Sequence, residues 1–177
     1  VDLWINGARQ GIYFIDEHFD SFLTENNNRP DSVFLRFSAP WEVNLEPPPD
    51  PTNDDAFFAT EVVTYSRYQK PPYADLLAYA TSQLDKFRYN NVPVSTVFDE
   101  KLFARYFALA DVFGAWHGLS FTNLRFYFNP ITGLIEPVPD DNFNELVTYV
   151  NKDRITRLND TYNGGALLKG FLADPSF

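Results

Sequence analysis

The sequence contains no cysteine, no methionine and only two histidines, His18 and His117. Without cysteine there are no disulfides, thiolate metal sites or cysteine nucleophiles, and the redox compartment stays open. Two imidazoles all but exclude a multi-histidine metal site. A chain of this length with no methionine, opening on Val1, is expected to be an internal fragment or to have modified methionines not written out. No apolar run approaches the roughly 18 residues of a membrane span, so none is expected here. Positive charge is scarce as well: 14 Lys and Arg stand against 24 Asp and Glu, a formal net charge of −10. Such a chain repels a phosphate backbone except at a local basic patch, and none is visible, so nucleic-acid binding is not expected.

What the chain does have is rings and prolines. Its 177 residues make one ordinary domain or two small lobes sharing a cleft, and 45% are hydrophobic, enough for a core. With 18 Phe and 10 Tyr, that core should be rich in aromatic packing. The opening reads as a hairpin, Val1–Ile15, turned at Asn6-Gly7, where both residues tolerate positive φ. Asp16 to Asn26 suits a helix with Phe19, Phe22 and Leu23 on one face, and Ser32–Ser38 reads as a strand with Leu35 and Phe37 opposite Phe34 and Arg36. Five prolines between Pro40 and Pro51, mixed with acids, make Ala39–Asp55 a surface loop. Two helices follow, Tyr73–Tyr89 and Glu100–Trp116; Asp99 is the expected N-cap of the second, whose buried stripe is Phe103, Tyr106, Phe107, Ala110 and Phe113. A second hairpin pairs Leu124–Phe128 with Leu134–Val138 around Asn129-Pro130-Ile131-Thr132-Gly133. The last thirty residues are expected to be partly helical, with a break at Gly164-Gly165.

A hairpin returns the end of its second strand to the start of its first. His117 and Asn123, ahead of one strand, should therefore meet Asp140 and Asp141, behind the other. An amide oxygen, an imidazole and two carboxylates at one sheet end form an oxygen-rich set suited to Mg²⁺, which takes one or two protein carboxylates and completes its shell with water and phosphate. Asp-Asp-Asn is also a common polar turn, and His117 also suits a helix end, so both readings stand. Arg125, among apolar strand neighbours, is expected to face outward and solubilise.

Several segments together resemble the CotH kinase family, the spore-coat protein-kinase group with many bacterial surface relatives. Ala104-Arg105-Tyr106-Phe107-Ala108 is similar to the family's helix, Trp116-His117 through Asn123 to its catalytic loop, Phe126 through Gly133 to its "Y--P-TG" hairpin, and Pro139-Asp140-Asp141 to its metal motif. Ile5-Asn6-Gly7, Gly11-Ile12-Tyr13 and Glu17-His18-Phe19-Asp20 resemble its opening segment, and Leu35-Arg36-Phe37 its "LYK" strand. The resemblance implies an α+β, atypical protein-kinase-like fold. Its small β-rich lobe (hairpin, helix, strand) would be residues 1–38 and its Pro-rich insertion and linker residues 39–72. A larger helical lobe, residues 73–177, would carry the hairpin at the cleft. It also implies Mg²⁺ and ATP as cofactors and phosphoryl transfer to Ser or Thr hydroxyls of surface or coat proteins. Asp141 and Asn123, with Asp140, would hold the metal. His117 stands where the family has a catalytic Asp, Arg36 where it has the phosphate-binding Lys, and Glu17 matches the acid that pairs that cation. The motif reads Pro139-Asp140-Asp141-Asn142-Phe143, so its second Asp is absent. A catalytically lost kinase-fold binding or scaffold module is therefore the rival reading, and a hydrolase built on Asp140, Asp141 and His117 a third. The resemblance favours an extracytoplasmic or cell-surface location.

Overall fold

The computed structural model describes residues 1–13, 17–39, 42, 54–90, 92–142 and 165–177. They form a mixed α+β chain with two antiparallel sheets, divided into the units Val1–Asp31 and Ser32–Phe177.

In the first unit, β1 (Asp2–Ile5) pairs with β2 (Ala8–Ile12), and Asn6 and Gly7 take φ of 51° and 79° at the turn. Helix α1 (Ser21–Asn26) begins later than the expected Asp16, because the capping carboxylate is Asp20, whose side chain accepts the Phe22 N–H. Residues 14–16 lie outside the described set.

The second unit holds a four-stranded sheet in the order β4-β3-β5-β6. Strand β3 (Phe34–Phe37) and the hairpin β5 (Arg125–Asn129) and β6 (Leu134–Val138) fall close to their expected positions. Strand β3, expected with the opening hairpin, pairs with β5 in this sheet. The second half of residues 39–72, expected to be linker, contains α2 (Asp54–Ala59), β4 (Val62–Thr64) and a 3₁₀ turn at Ser66–Gln69. The prolines stop at Pro51 and resume at Pro71; between them Ala56, Phe57 and Tyr68 are buried, and Val62-Val63-Thr64 is a β-branched run. Residues 40, 41 and 43–53, expected from their prolines to be loop, lie outside the described set.

Helices α3 (Ala74–Asn90) and α4 (Glu100–Phe113) match the two expected long helices. Asp99 caps α4 by accepting the Leu102 N–H, and Gly114 ends it at φ 65°. The buried stripe holds Phe103, Tyr106, Phe107 and Ala110 and then passes through Gly114, which leaves Phe113, expected inside, exposed. Helix α5 (Ala166–Leu172) begins directly after Gly165.

Alternation divides the sheet into two faces. One carries Phe37 and Phe126 into a ring core, their centroids 5.6 Å apart and nearly perpendicular. In that core Phe171 of α5 packs against Phe87, Phe98, Phe103, Phe107 and Phe177 at 4.7–5.2 Å. The other face carries Phe34 and Arg36 of β3 opposite Tyr127 and Arg125 of β5, with Asn129 and Glu136 further along. Helix α2 has no basic residue in its last turn, and Arg88 of α3 supplies one, donating to the Phe57 and Thr60 carbonyls at 3.2 and 2.6 Å.

Candidate functional site

The site lies where the chain enters and leaves the β5–β6 hairpin. Helix α4 stops at Gly114, and the Gly114 and Ala115 N–H groups take two of its last four carbonyls, those of Asp111 and Ala110. His117 sits in the 3₁₀ turn Trp116–Leu119, and its Nε2 lies 3.2 Å from Asp141 Oδ2, across the hairpin mouth. The Asn123 side chain donates from Nδ2 to the His117 carbonyl at 3.2 Å. His117 is thus contacted by Asn123 at its backbone and by Asp141 at its ring. Asp141 is the most open of the three, its side chain 61% exposed against 24% for His117, and it stands in the left-handed region at φ 42°. Pro137, Pro139 and the Asp140-Asp141-Asn142 run give that positive φ a polar turn, where Asp tolerates it.

Arg125 overturns its expected role. Its side chain is only 16% exposed, and its guanidinium bonds Asp140 Oδ2 at 3.0 Å and the Thr122 and Asn123 carbonyls at 2.8 and 3.0 Å. One side chain thereby ties the loop before β5 to the turn after β6. Apolar strand neighbours hid this, because they predict which face of a strand is buried and not what a loop brings to it.

Arg36 stands directly opposite Arg125 in the β3–β5 register. The carboxylate on it is Glu42, where Glu17 is the expected partner: Arg36 donates through both terminal nitrogens to Glu42 Oε2 and Oε1, at 2.7 and 3.0 Å. Glu42 also accepts the Ala39 N–H at 2.8 Å. The Arg36 hydrogen bond, partly opposed by burial, holds the Glu42 carboxyl below its ordinary range, and the Arg125 charge adds to the effect. Glu17, in the other unit, accepts a hydrogen bond from the Asn26 amide. Glu42 lies within the Pro-rich segment Ala39–Asp55, and no sequence spacing marked it.

Tyr65, just after β4, belongs to the same neighbourhood. Burial raises its hydroxyl pKa, while Arg125 and Arg36 act in the opposite sense, Arg125 also through a hydrogen bond. Below them, Tyr106 of α4 donates to Asn142 Oδ1 at 2.9 Å, and burial, with help from Asp140, pushes its phenol well above the usual tyrosine range. A Cβ at Gly118 would meet Asn142 Oδ1 at 2.3 Å and the Tyr106 hydroxyl at 2.7 Å, so a larger residue there would displace this hydrogen-bonded pair.

Of the expected metal ligands, Asp140 is bonded to Arg125 through Oδ2, while Asp141 and Asn123 each contact His117. A Mg²⁺ ion, which keeps several waters and needs few protein ligands, would draw on the Asp141 carboxylate and the Asn123 amide oxygen. Among the described residues, no three acidic or histidine side chains converge as a larger metal group would require. Against known proteins, no family model matches the chain, and no curated protein or solved structure is similar to it.

Proposed function

We propose that this chain is a divergent CotH-like atypical kinase domain of a bacterial surface protein. In this reading it transfers phosphate from Mg-ATP to Ser or Thr hydroxyls of extracytoplasmic or coat proteins. The observation that carries the reading is the meeting of His117 and Asp141 at 3.2 Å across the hairpin mouth, with Asn123 on the same histidine. These are the positions at which the resemblance expects a proton acceptor and two metal ligands, contributed by segments that are separated in sequence by the whole hairpin.

Phosphoryl transfer asks a protein mainly for position and charge. Asp141 and Asn123 would hold the Mg²⁺, which supplies charge neutralisation on the phosphates. With its Nε2–H donating to Asp141, a neutral His117 keeps Nδ1 as the atom that accepts the hydroxyl proton. Arg36 and Arg125 add guanidinium charge on the adjoining sheet face, where planar donor pairs suit phosphoryl oxygens.

The test is transfer to a casein-like protein with Mg-ATP. The native chain should transfer, and His117→Ala should lose most of the rate while still binding nucleotide. Asp141→Ala should abolish Mg²⁺-dependent nucleotide binding with the fold intact. Equal rates in native and His117→Ala protein would refute the proton-accepting role.

One observation favours the second reading, a kinase-like module that binds without transferring. Asp140 is neutralised by Arg125, and Asn142, next to Asp141, is engaged by Tyr106. Nucleotide binding with no transfer would favour that reading.

A further inference from the structure

The cross-strand arginines pose a physical problem that points to a ligand. Like charges directly opposite one another on a sheet face are destabilising, and Arg36 and Arg125 are Cα partners. Each is compensated by a carboxylate from outside the strands, Glu42 on Arg36 and Asp140 on Arg125. The two compensations differ. Asp140 is 20% exposed and shares its arginine with two loop carbonyls, so it belongs to the framework of the hairpin mouth. Glu42 is 39% exposed and lies beyond the end of β3.

The Glu42 carboxylate sits in a ready-made oxyanion seat. Oε2 takes one Arg36 N–H and the Ala39 N–H, and Oε1 takes the other Arg36 N–H, at 2.7, 2.8 and 3.0 Å. A backbone N–H beside a guanidinium fork is a donor set that phosphoryl oxygens also satisfy. The pair is part-exposed, 26% at Arg36 and 39% at Glu42, so water screens it, and a more highly charged oxyanion would gain more from the same donors.

We infer that Glu42 is a built-in competitor for the phosphoryl oxyanion that the proposed function brings to Arg36, because it occupies both Arg36 terminal N–H groups and the Ala39 N–H that such an oxyanion would use. The identification of that oxyanion as a nucleotide phosphate rests on the proposed kinase reading; the set of occupied donors does not. Removing the charge of Glu42 opens the seat, and affinity rises by the inverse of the fraction of time it was open.

Calorimetry with two probes, inorganic pyrophosphate and Mg-ATP, tests this on the native chain, Glu42→Gln, Glu42→Ala and the double variant Glu42→Gln/Arg36→Gln, each checked for a native melting transition. Both single variants should bind pyrophosphate about tenfold more tightly than the native chain, as for a seat open about a tenth of the time. The double variant should lose that gain. Equal pyrophosphate affinity in native and Glu42 variants, or a gain that survives loss of Arg36, would overturn the inference. A pyrophosphate gain with no Mg-ATP binding by any variant would uphold the seat and refute the nucleotide reading. Equal and measurable Mg-ATP binding by native and Glu42→Gln protein would overturn the competitor role while leaving the kinase reading intact.

Discussion

The two hairpins start from the same chemistry and end in opposite environments. Both turn at residues that accept positive φ, Asn6-Gly7 in one and Gly133, at 73°, in the other, and both form from sequence-local signals. Yet β1–β2 leaves Trp4, Ile5 and Ile12 exposed, the last at 84%, whereas β5–β6 buries Phe126, Tyr127, Phe128 and Ile135. The β1–β2 ladder is a two-stranded sheet by itself, while β5 lies between β3 and β6. Turn residues therefore decide that a hairpin forms, and third and fourth strands decide whether it carries a core. Only the hairpin with a packed face carries a rigid mouth on which His117, Arg125 and Asp141 can be fixed.

That contrast can be broken most directly at Phe126, fully buried against Phe37, Phe98 and Phe103. Phe126→Ala should cost about 3–5 kcal/mol in urea unfolding of the second unit; a loss under about 1 kcal/mol would mean that the ring face is not its core. Arg125→Met keeps the apolar stem but strips Asp140 and two loop carbonyls of their donor, and should cost about 2 kcal/mol. A cost near zero would show that the hairpin mouth is held by other contacts.

Tyr106→Phe removes one hydrogen bond to Asn142, about 1 kcal/mol. It also carries a pH signature. The folded phenol has a raised pKa, so stability is flat below the unfolded tyrosine value of about 10 and falls above it, as the unfolded chain ionises first. The variant should lose that part of the alkaline slope; an unchanged slope would remove Tyr106 from the buried network. Glu42 works in the other direction. Its pKa is lowered when folded, so its contribution is present at neutral pH and fades as pH falls below the ordinary carboxylate range. Because Glu42 is well exposed, Glu42→Gln should remove only about 0.3 kcal/mol of that acid dependence. The smallest effect belongs to the open hairpin: Trp4→Ala should move the melting of the second unit by no more than about 0.5 kcal/mol. A larger change would mean that Trp4 is not the exposed side chain described above.

Much of this was legible because it is local. Asp99 before an apolar helical stripe, Gly114 after it, and Asn129 through Gly133 between two strands each encode their own geometry, and a hairpin's topology alone brings His117 toward Asp141. What was not legible is pairing across distance. Val62–Thr64 is too short to announce itself as a strand until Arg36 and Phe37 are there to pair with it. Arg125 looked like a surface residue because its partners, Asp140 and two backbone carbonyls, leave no periodic trace. Glu42 was invisible for the same reason, lying among prolines with its partner six residues back.

The start of α4 has a consequence for how the sheet ends. Strand β6 is last in its order, and an outermost strand normally offers its free N–H and C=O groups to any extended chain nearby. Here the Ile135 N–H is spent on the Val97 carbonyl and the Ile135 carbonyl on the Asp99 N–H, and Asp99 is the residue whose side chain caps α4. Helix initiation and strand protection are thus one event. A substitution such as Asp99→Pro, which loses both the cap and that N–H, would fray the helix and also turn β6 into a template for self-association, detectable as soluble oligomers that grow with protein concentration.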